Sequence, residues 1–269
     1  MKSLINPLVN SLGYEISLKL KRAEKSAQGD EDVSDFDREA LEKIRVVRQH
    51  TMLPYARLYS LYDQAVYCET AGIAGSFVEC GTWKGGAAGL MALANLAYGK
   101  TPRHLHLFDS FEGIPEPDEA IDGAKAVNQA RAAGAGTRGR LVPLTNFYES
   151  PGALQTNRDL LENIIGYDPA YLHYHQGWFQ DTLPRVAGEF GEIAILRLDA
   201  DWYASTKVCL DSLWRWVVSG GFIIIDDYGC YEGCKKAVDE FLKREGLSSY
   251  PHRPYLHRID SEGRYLIKP

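Results

Sequence analysis

Two apolar runs late in the chain each stop abruptly at acidic residues. Ile195-Leu196-Arg197-Leu198 ends at Asp199-Ala200-Asp201, and Phe222-Ile223-Ile224-Ile225 ends at Asp226-Asp227. Short branched apolar runs of this kind predict strands buried on both faces of a parallel sheet. Two more strands are predicted upstream, Ser76-Phe77-Val78-Glu79-Cys80 and Leu105-His106-Leu107-Phe108-Asp109. Between them lie the turn Gly81-Thr82-Trp83-Lys84-Gly85-Gly86 and a small-residue helix from Ala87 to Tyr98. Strand, glycine turn, helix, strand and acid in about thirty residues form the nucleotide-binding half of a doubly wound fold. The predicted fold class is therefore α/β, with a mostly parallel, Rossmann-like sheet.

Tyr171 to His175 predicts another strand. Helices are predicted from Asp181, from Ser205 to Val217, and from Glu232 to Arg244, with a break at Gly220-Gly221 and closing strands between Tyr255 and Ile267. Helical spacing also marks Ser11 to Lys25, Asp35 to Gln49 and Ala56 to Glu69; the polar run Gln28-Gly29-Asp30-Glu31-Asp32 and Pro54 separate them. The expected organisation is an amino-terminal helical accessory segment at 1–70 and a main domain at 71–269. Prolines and glycines punctuate about 113–170, which is expected to be an insertion that forms a lid over the cleft.

With 269 residues, 45% hydrophobic and 25% charged, the chain can build one large α/β domain with an appendage. A net charge of −6 supplies no basic field for a phosphate backbone, so no nucleic-acid partner is expected. No run approaches the roughly 20 apolar residues that span a bilayer. The amino end lacks the apolar core of a signal peptide. A cytoplasmic protein with no membrane partner is the expectation. Five cysteines, an odd number set mostly inside apolar elements, suit reduced thiols.

Doubly wound sheets bind ligands at the carboxyl ends of their strands, so Asp199, Asp226 and Asp227 are expected to converge there. Clustered carboxylates repel unless a positive partner joins them, and a divalent cation on oxygen ligands is the simplest. Asp109 stands where a carboxylate can accept hydrogen bonds from a ribose diol, or can cap the following turn. Asp201 is either a further ligand or, as expected here, a cap for the next helix, with Ser205-Thr206 nearby. His173 and His175 share one face of a strand, either packed or as a metal pair. Trp178 and Trp202 flank motif turns; they are expected either as walls of an adenine pocket and an acceptor site, or as core.

The turn Glu79-Cys80-Gly81-Thr82-Trp83-Lys84-Gly85-Gly86 matches neither a P-loop nor a clean Gly-x-Gly-x-x-Gly. With an acid ahead of its first glycine, it resembles the first motif of class I S-adenosylmethionine-dependent methyltransferases. Three strings in order resemble the macrocin-type O-methyltransferases: Asp109-Ser110-Phe111-Glu112-Gly113-Ile114-Pro115, the segment from Leu196 to Thr206, and the segment from Gly220 to Tyr228. The likeness runs from about Thr51 to Leu242. It implies Mg2+ held by Asp199, Asp226 and Asp227, with Asp199 also the proton acceptor. It implies S-adenosylmethionine held by Glu79, Cys80, Gly81, Thr82 and Trp83, by Asp109, Ser110, Phe111 and Gly113, and by Thr51 and Met52. Ala200 departs from the glycine common between the two acids of that motif.

The resemblance implies a small-molecule hydroxyl acceptor, such as a sugar hydroxyl of a glycosylated natural product. A catechol-like phenol is the rival acceptor. An NAD-type oxidoreductase or epimerase on the same fold is the rival enzyme, and a cofactor-sensing or scaffold subunit is the non-enzymatic alternative. A homo-oligomer built through the amino-terminal helices is expected.

Overall fold

The computed structural model describes residues 35–145, 150–186, 191–247, 249, 251 and 254–269. The helix predicted at Ser11 to Lys25 and the polar run after it lie outside the described residues. One compact unit spans Asp37–Pro269. The helices α1 (Arg38–Val47) and α2 (Tyr55–Thr70) lie inside it.

Asp37 starts α1 by accepting the backbone N–H of Glu39 at 2.9 Å, which satisfies one of the free donors of the first turn. Pro54 precedes α2, where its fixed φ suits helix entry and its missing N–H costs nothing. Both helices pack on α3 (Gly86–Tyr98), whose alanines and glycines allow close approach.

Seven strands form one sheet in the order β3-β2-β1-β4-β5-β7-β6. Here β1 is Ser76–Cys80, β2 Leu105–Asp109, β3 Leu172–Gln176, β4 Ile193–Leu198, β5 Val217–Ile225, β6 His257–Arg258 and β7 Arg264–Ile267. The first five are parallel, and β7 returns antiparallel to β5. This is the doubly wound, mostly parallel sheet that the apolar runs predict. The chain reverses its winding between β1 and β4, and such a switch opens a crevice at the strand ends.

The insertion carries α4 (Gly123–Ala132) and α5 (Leu154–Arg158), the latter continued by a π-helical turn. Further on come α6 (Phe179–Val186), α7 (Tyr203–Leu213) and α8 (Glu232–Arg244).

One local expectation is corrected. Gly220-Gly221 does not break the chain between elements. Gly220 takes φ +82° and β5 runs through it from Val217, because Lys268 of the returning segment pairs with both glycines. At the start of α7, Trp202 holds the cap position, Asp201 just ahead of it has φ +55°, and Asp122 from the insertion accepts the N–H of Tyr203 at 2.8 Å.

Candidate active site

The ladder of parallel hydrogen bonds continues past the last strand residues and sets the heights of the acids. Asp199 N–H donates to Cys80 O, and Asp226 N–H donates to Leu198 O, both at 2.9 Å. Gly81 sits against β4 at the crevice with φ +88°, and a Cβ there would lie 1.9 Å from the carbonyl oxygen of Asp199. Only glycine lets the two strand ends meet.

Asp199, Asp226 and Asp227 converge, each offering an oxygen within 4.8 Å of the others. Arg197 lies beneath them, 2% exposed in a strand otherwise apolar. Its Nη1 donates to Glu79 Oε1 at 2.5 Å and to Asp199 Oδ2 at 3.1 Å, and its Nη2 to Asp226 Oδ1 at 2.8 Å. Arg57 of α2 donates to the other Asp226 oxygen at 2.5 Å, and to Asp260 and Glu262 at 2.7 Å. Asp227 Oδ2 accepts the Asp201 N–H at 3.1 Å.

Burial pushes the Asp199 carboxyl up to about 6, with Asp226 adding repulsion and Arg197 opposing it. Burial, then the nearby Asp201 and Asp199, push Asp227 up as well. Glu79 rises to about 8 by burial, against the pull of Arg197. Burial alone would lower the Arg57 pKa; Asp226, Asp260 and Glu262 more than reverse it. Carboxylates outnumber guanidiniums throughout the cluster. A set of hard oxygen donors carrying excess negative charge fits a divalent cation such as Mg2+.

Two adjoining cavities open beside Asp199 and share Gly81, Asp109, Gly113, Asp199 and Asp201 among their walls, whereas Asp226 and Asp227 line neither. Trp178 and Ser110 line the first, Met52 and Trp83 the second. Thr51, Glu79, Cys80, Thr82 and Phe111 line neither. Glu79 is 1% exposed, and its Oε2 has no hydrogen-bond partner among the described residues. Thr51 supports the turn from behind, since its Oγ1 accepts Leu53 N–H and its Cβ closes on Gly86.

Asp109 is a clasp. Its Oδ2 accepts the N–H groups of Thr82 at 2.7 Å and Trp83 at 3.1 Å, and its Oδ1 accepts Phe111 N–H at 2.8 Å. One carboxylate thus ties the β1 turn to the β2 loop. Among the described residues, the non-glycines at positive φ are Trp83, Phe111 and Asp201, all on the loops of this edge. Strained backbone of this kind concentrates at functional sites. The insertion closes on the turn through Trp83 Nε1 to Ser150 O and Asn157 Nδ2 to Trp83 O, both 2.7 Å.

Trp202 is core, 2% exposed, with its indole N–H on Pro115 O at 2.8 Å. His173 and His175 line neither cavity. His173 stacks on His106 and sits tilted against His104, and His175 stacks on His106 and Phe108. Arg57, Asp260 and Glu262 were not among the residues marked by motif, and Arg197 carried no assigned role. A lone Arg inside a buried strand between two acid-ended neighbours was the available signal for Arg197.

The profile of the Macrocin-O-methyltransferase (TylF) family matches residues 10–137 and 154–268. The chain is 35% identical over 206 residues to the 8-demethyl-8-(2,3-dimethoxy-alpha-L-rhamnosyl)-tetracenomycin-C 4'-O-methyltransferase of Streptomyces olivaceus, covering 74% of this chain and 70% of that one. It is 32% identical over 219 residues to the demethyldecarbamoylnovobiocin O-methyltransferase of Streptomyces niveus, covering 80% and 74%. Among solved structures, the O-methyltransferase NovP matches with a TM-score of 0.64 and 29% identity, over 81% of this chain and 82% of NovP.

Proposed function

We propose a specific reaction for this chain, which belongs to the macrocin O-methyltransferase family and is an O-methyltransferase: it methylates a sugar hydroxyl of a glycosylated natural product. S-adenosylmethionine is the donor, and Mg2+ is required. One observation carries the reading. Asp199, one of the three converging acids, and Gly81 of the turn line the same two cavities, so a cation site at those acids and a donor site at the turn would adjoin. The printed names of the relatives, one acting on a rhamnosyl-tetracenomycin and one on a novobiocin precursor, support the acceptor class.

Asp199, Asp226 and Asp227 would hold the cation, which supplies orientation and acidification of the acceptor hydroxyl. Asp199 is the proton acceptor. Its side chain is 33% exposed to the cavity, whereas that of Asp226 is 6% exposed. As the acceptor oxygen bonds to the methyl carbon and the carbon–sulfur bond breaks, the hydroxyl proton passes to an Asp199 oxygen. The Gly81–Trp83 turn, held by Asp109, cradles the donor, and Trp178 walls the adenine side.

Turnover of a desmethyl rhamnosyl aglycone, read as S-adenosylhomocysteine release, tests this. Activity should vanish in EDTA and return with Mg2+. Asp199→Asn should bind S-adenosylhomocysteine normally yet lose at least about a hundredfold in kcat, the usual contribution of a positioned base. Full turnover in EDTA would remove the metal from the reading, and preferred methylation of a simple catechol would remove the sugar acceptor.

A further inference from the structure

We propose that Arg57 is a positioning residue for the cation site: it fixes Asp226, and so the spacing of the three acids, from the β6–β7 hairpin. The inference rests on the metal reading above.

The guanidinium is itself held. Asp260 Oδ1 accepts the backbone N–H groups of Glu262 at 2.8 Å and Gly263 at 2.6 Å, which leaves Oδ2 aimed at Arg57 Nε. Glu262 takes Nη2. A Cβ on Gly263 would stand 3.3 Å from Arg57 Nε, so the hairpin turn also backs the side chain closely. The remaining arm, Nη1, reaches Asp226 Oδ2. Because Arg197 already holds Asp226 Oδ1, both oxygens are pinned and the carboxylate cannot rotate between them. A planar fork with fixed donor directions does this; a compact ammonium does not.

Charge alone argues the other way. A buried positive group 2.5 Å from a proposed ligand oxygen repels an incoming cation. Its presence, 8% exposed and shared among three acids, is explained by geometry. Without it Asp226 would have to be ordered when the cation arrives, and that ordering weakens binding.

The two accounts predict opposite signs, which makes the test decisive. Mn2+ binding to the full chain is measured by electron paramagnetic resonance, with circular dichroism checking the fold. Arg57→Lys keeps the charge and loses the fork. It should raise the Mn2+ Kd roughly 10–100-fold, the usual effect of losing a partner behind a metal ligand. Arg57→Met removes the charge as well, and should bind no tighter than wild type. An Arg57→Lys Kd within about twofold of wild type, or tighter binding by Arg57→Met, overturns the proposal.

If neither variant folds, Asp260→Asn decides. It leaves Arg57 in place but loosens it, and should weaken Mn2+ several-fold even in about 0.5 M KCl, where the screening length is about 4 Å. An unchanged Kd there overturns the proposal. Absence of Mn2+ binding by wild type would instead sink the metal reading itself, so the two failures stay distinct.

Discussion

Replacing Arg197 with methionine removes the positive centre of the buried network while nearly preserving side-chain length. Arg197 is 2% exposed and contacts Glu79, Asp199 and Asp226 at 2.5, 3.1 and 2.8 Å. Asp226 keeps Arg57, and Asp199 borders the cavity, but Glu79, 1% exposed, is left without a counter-charge. Leaving one member of a buried pair uncompensated costs about 3–5 kcal/mol. For a domain of this size that corresponds to roughly 10 °C in Tm. Adding Glu79→Gln to the same protein removes the stranded charge, so the double variant should recover about 1–3 kcal/mol relative to Arg197→Met alone.

The pH dependence follows. Burial holds the Glu79 carboxyl above its ordinary range, and without Arg197 it moves higher still. A carboxyl with a raised folded pKa penalises folding only when ionised. The penalty is complete above the folded pKa and disappears below the unfolded value near 4.3. The part of the Arg197→Met deficit carried by Glu79 should therefore be flat below about pH 8, where the carboxyl is protonated in both proteins, and grow as pH rises above it, where only the wild-type carboxyl ionises. Guanidinium chloride unfolding in EDTA from about pH 6 to about pH 10 reads both effects. A deficit under about 1 kcal/mol at the alkaline end, or a double variant no more stable than the single there, refutes the stranded-charge argument.

Gly81→Ala would place a Cβ 1.9 Å from Asp199 O at φ +88°, so it should cost more than about 3 kcal/mol and abolish S-adenosylhomocysteine binding by calorimetry. A folded Gly81→Ala protein with wild-type affinity would contradict the close-approach argument. His106 is depressed to about 3, first by burial and then by His173, His175 and His104. Its unfolded value near 6.5 means stability is intact above that pH and drains as pH falls, by about 2 kcal/mol at pH 5. His106→Phe should flatten the stability profile between about pH 7 and pH 5 by that amount, and an unchanged slope would rule the linkage out. Trp83→Phe loses the indole bond to Ser150 O, so amide exchange in residues 150–157 should quicken; unchanged protection there would mean other contacts hold the insertion.

Strands and helices were legible wherever one local rule governed them. Branched runs ending in acids became β4 and β5, and the amphipathic stretch Glu232–Arg244 became α8 with those limits, because burial on a sheet face and helical periodicity are both local patterns. The misreading has a physical cause: a distant segment overrode a local signal. Gly220-Gly221 has the composition of a break, yet pairing with Lys268 keeps it in the strand. A distant residue also acts at the start of α7, where Asp122, 81 residues away, accepts the N–H of Tyr203.

Arg57 extends the same logic to the site. On α2 its neighbours are Ala56 and Leu58, and nothing in that spacing marks it from a solvated helix charge. Its partners lie 169, 203 and 205 residues downstream. The convergence of three strand-end carboxylates can therefore be located from sequence, because the sheet alone brings those acids together. The groups that orient the carboxylates come from outside the strand-and-turn unit and depend on how α2 and the terminal hairpin pack against it. The number of acids is a property of the motif, whereas their rigidity is a property of the whole packed unit. Under the proposed metal reading, substitutions far from any motif should thus change how tightly a cation is held while leaving the three acids in place.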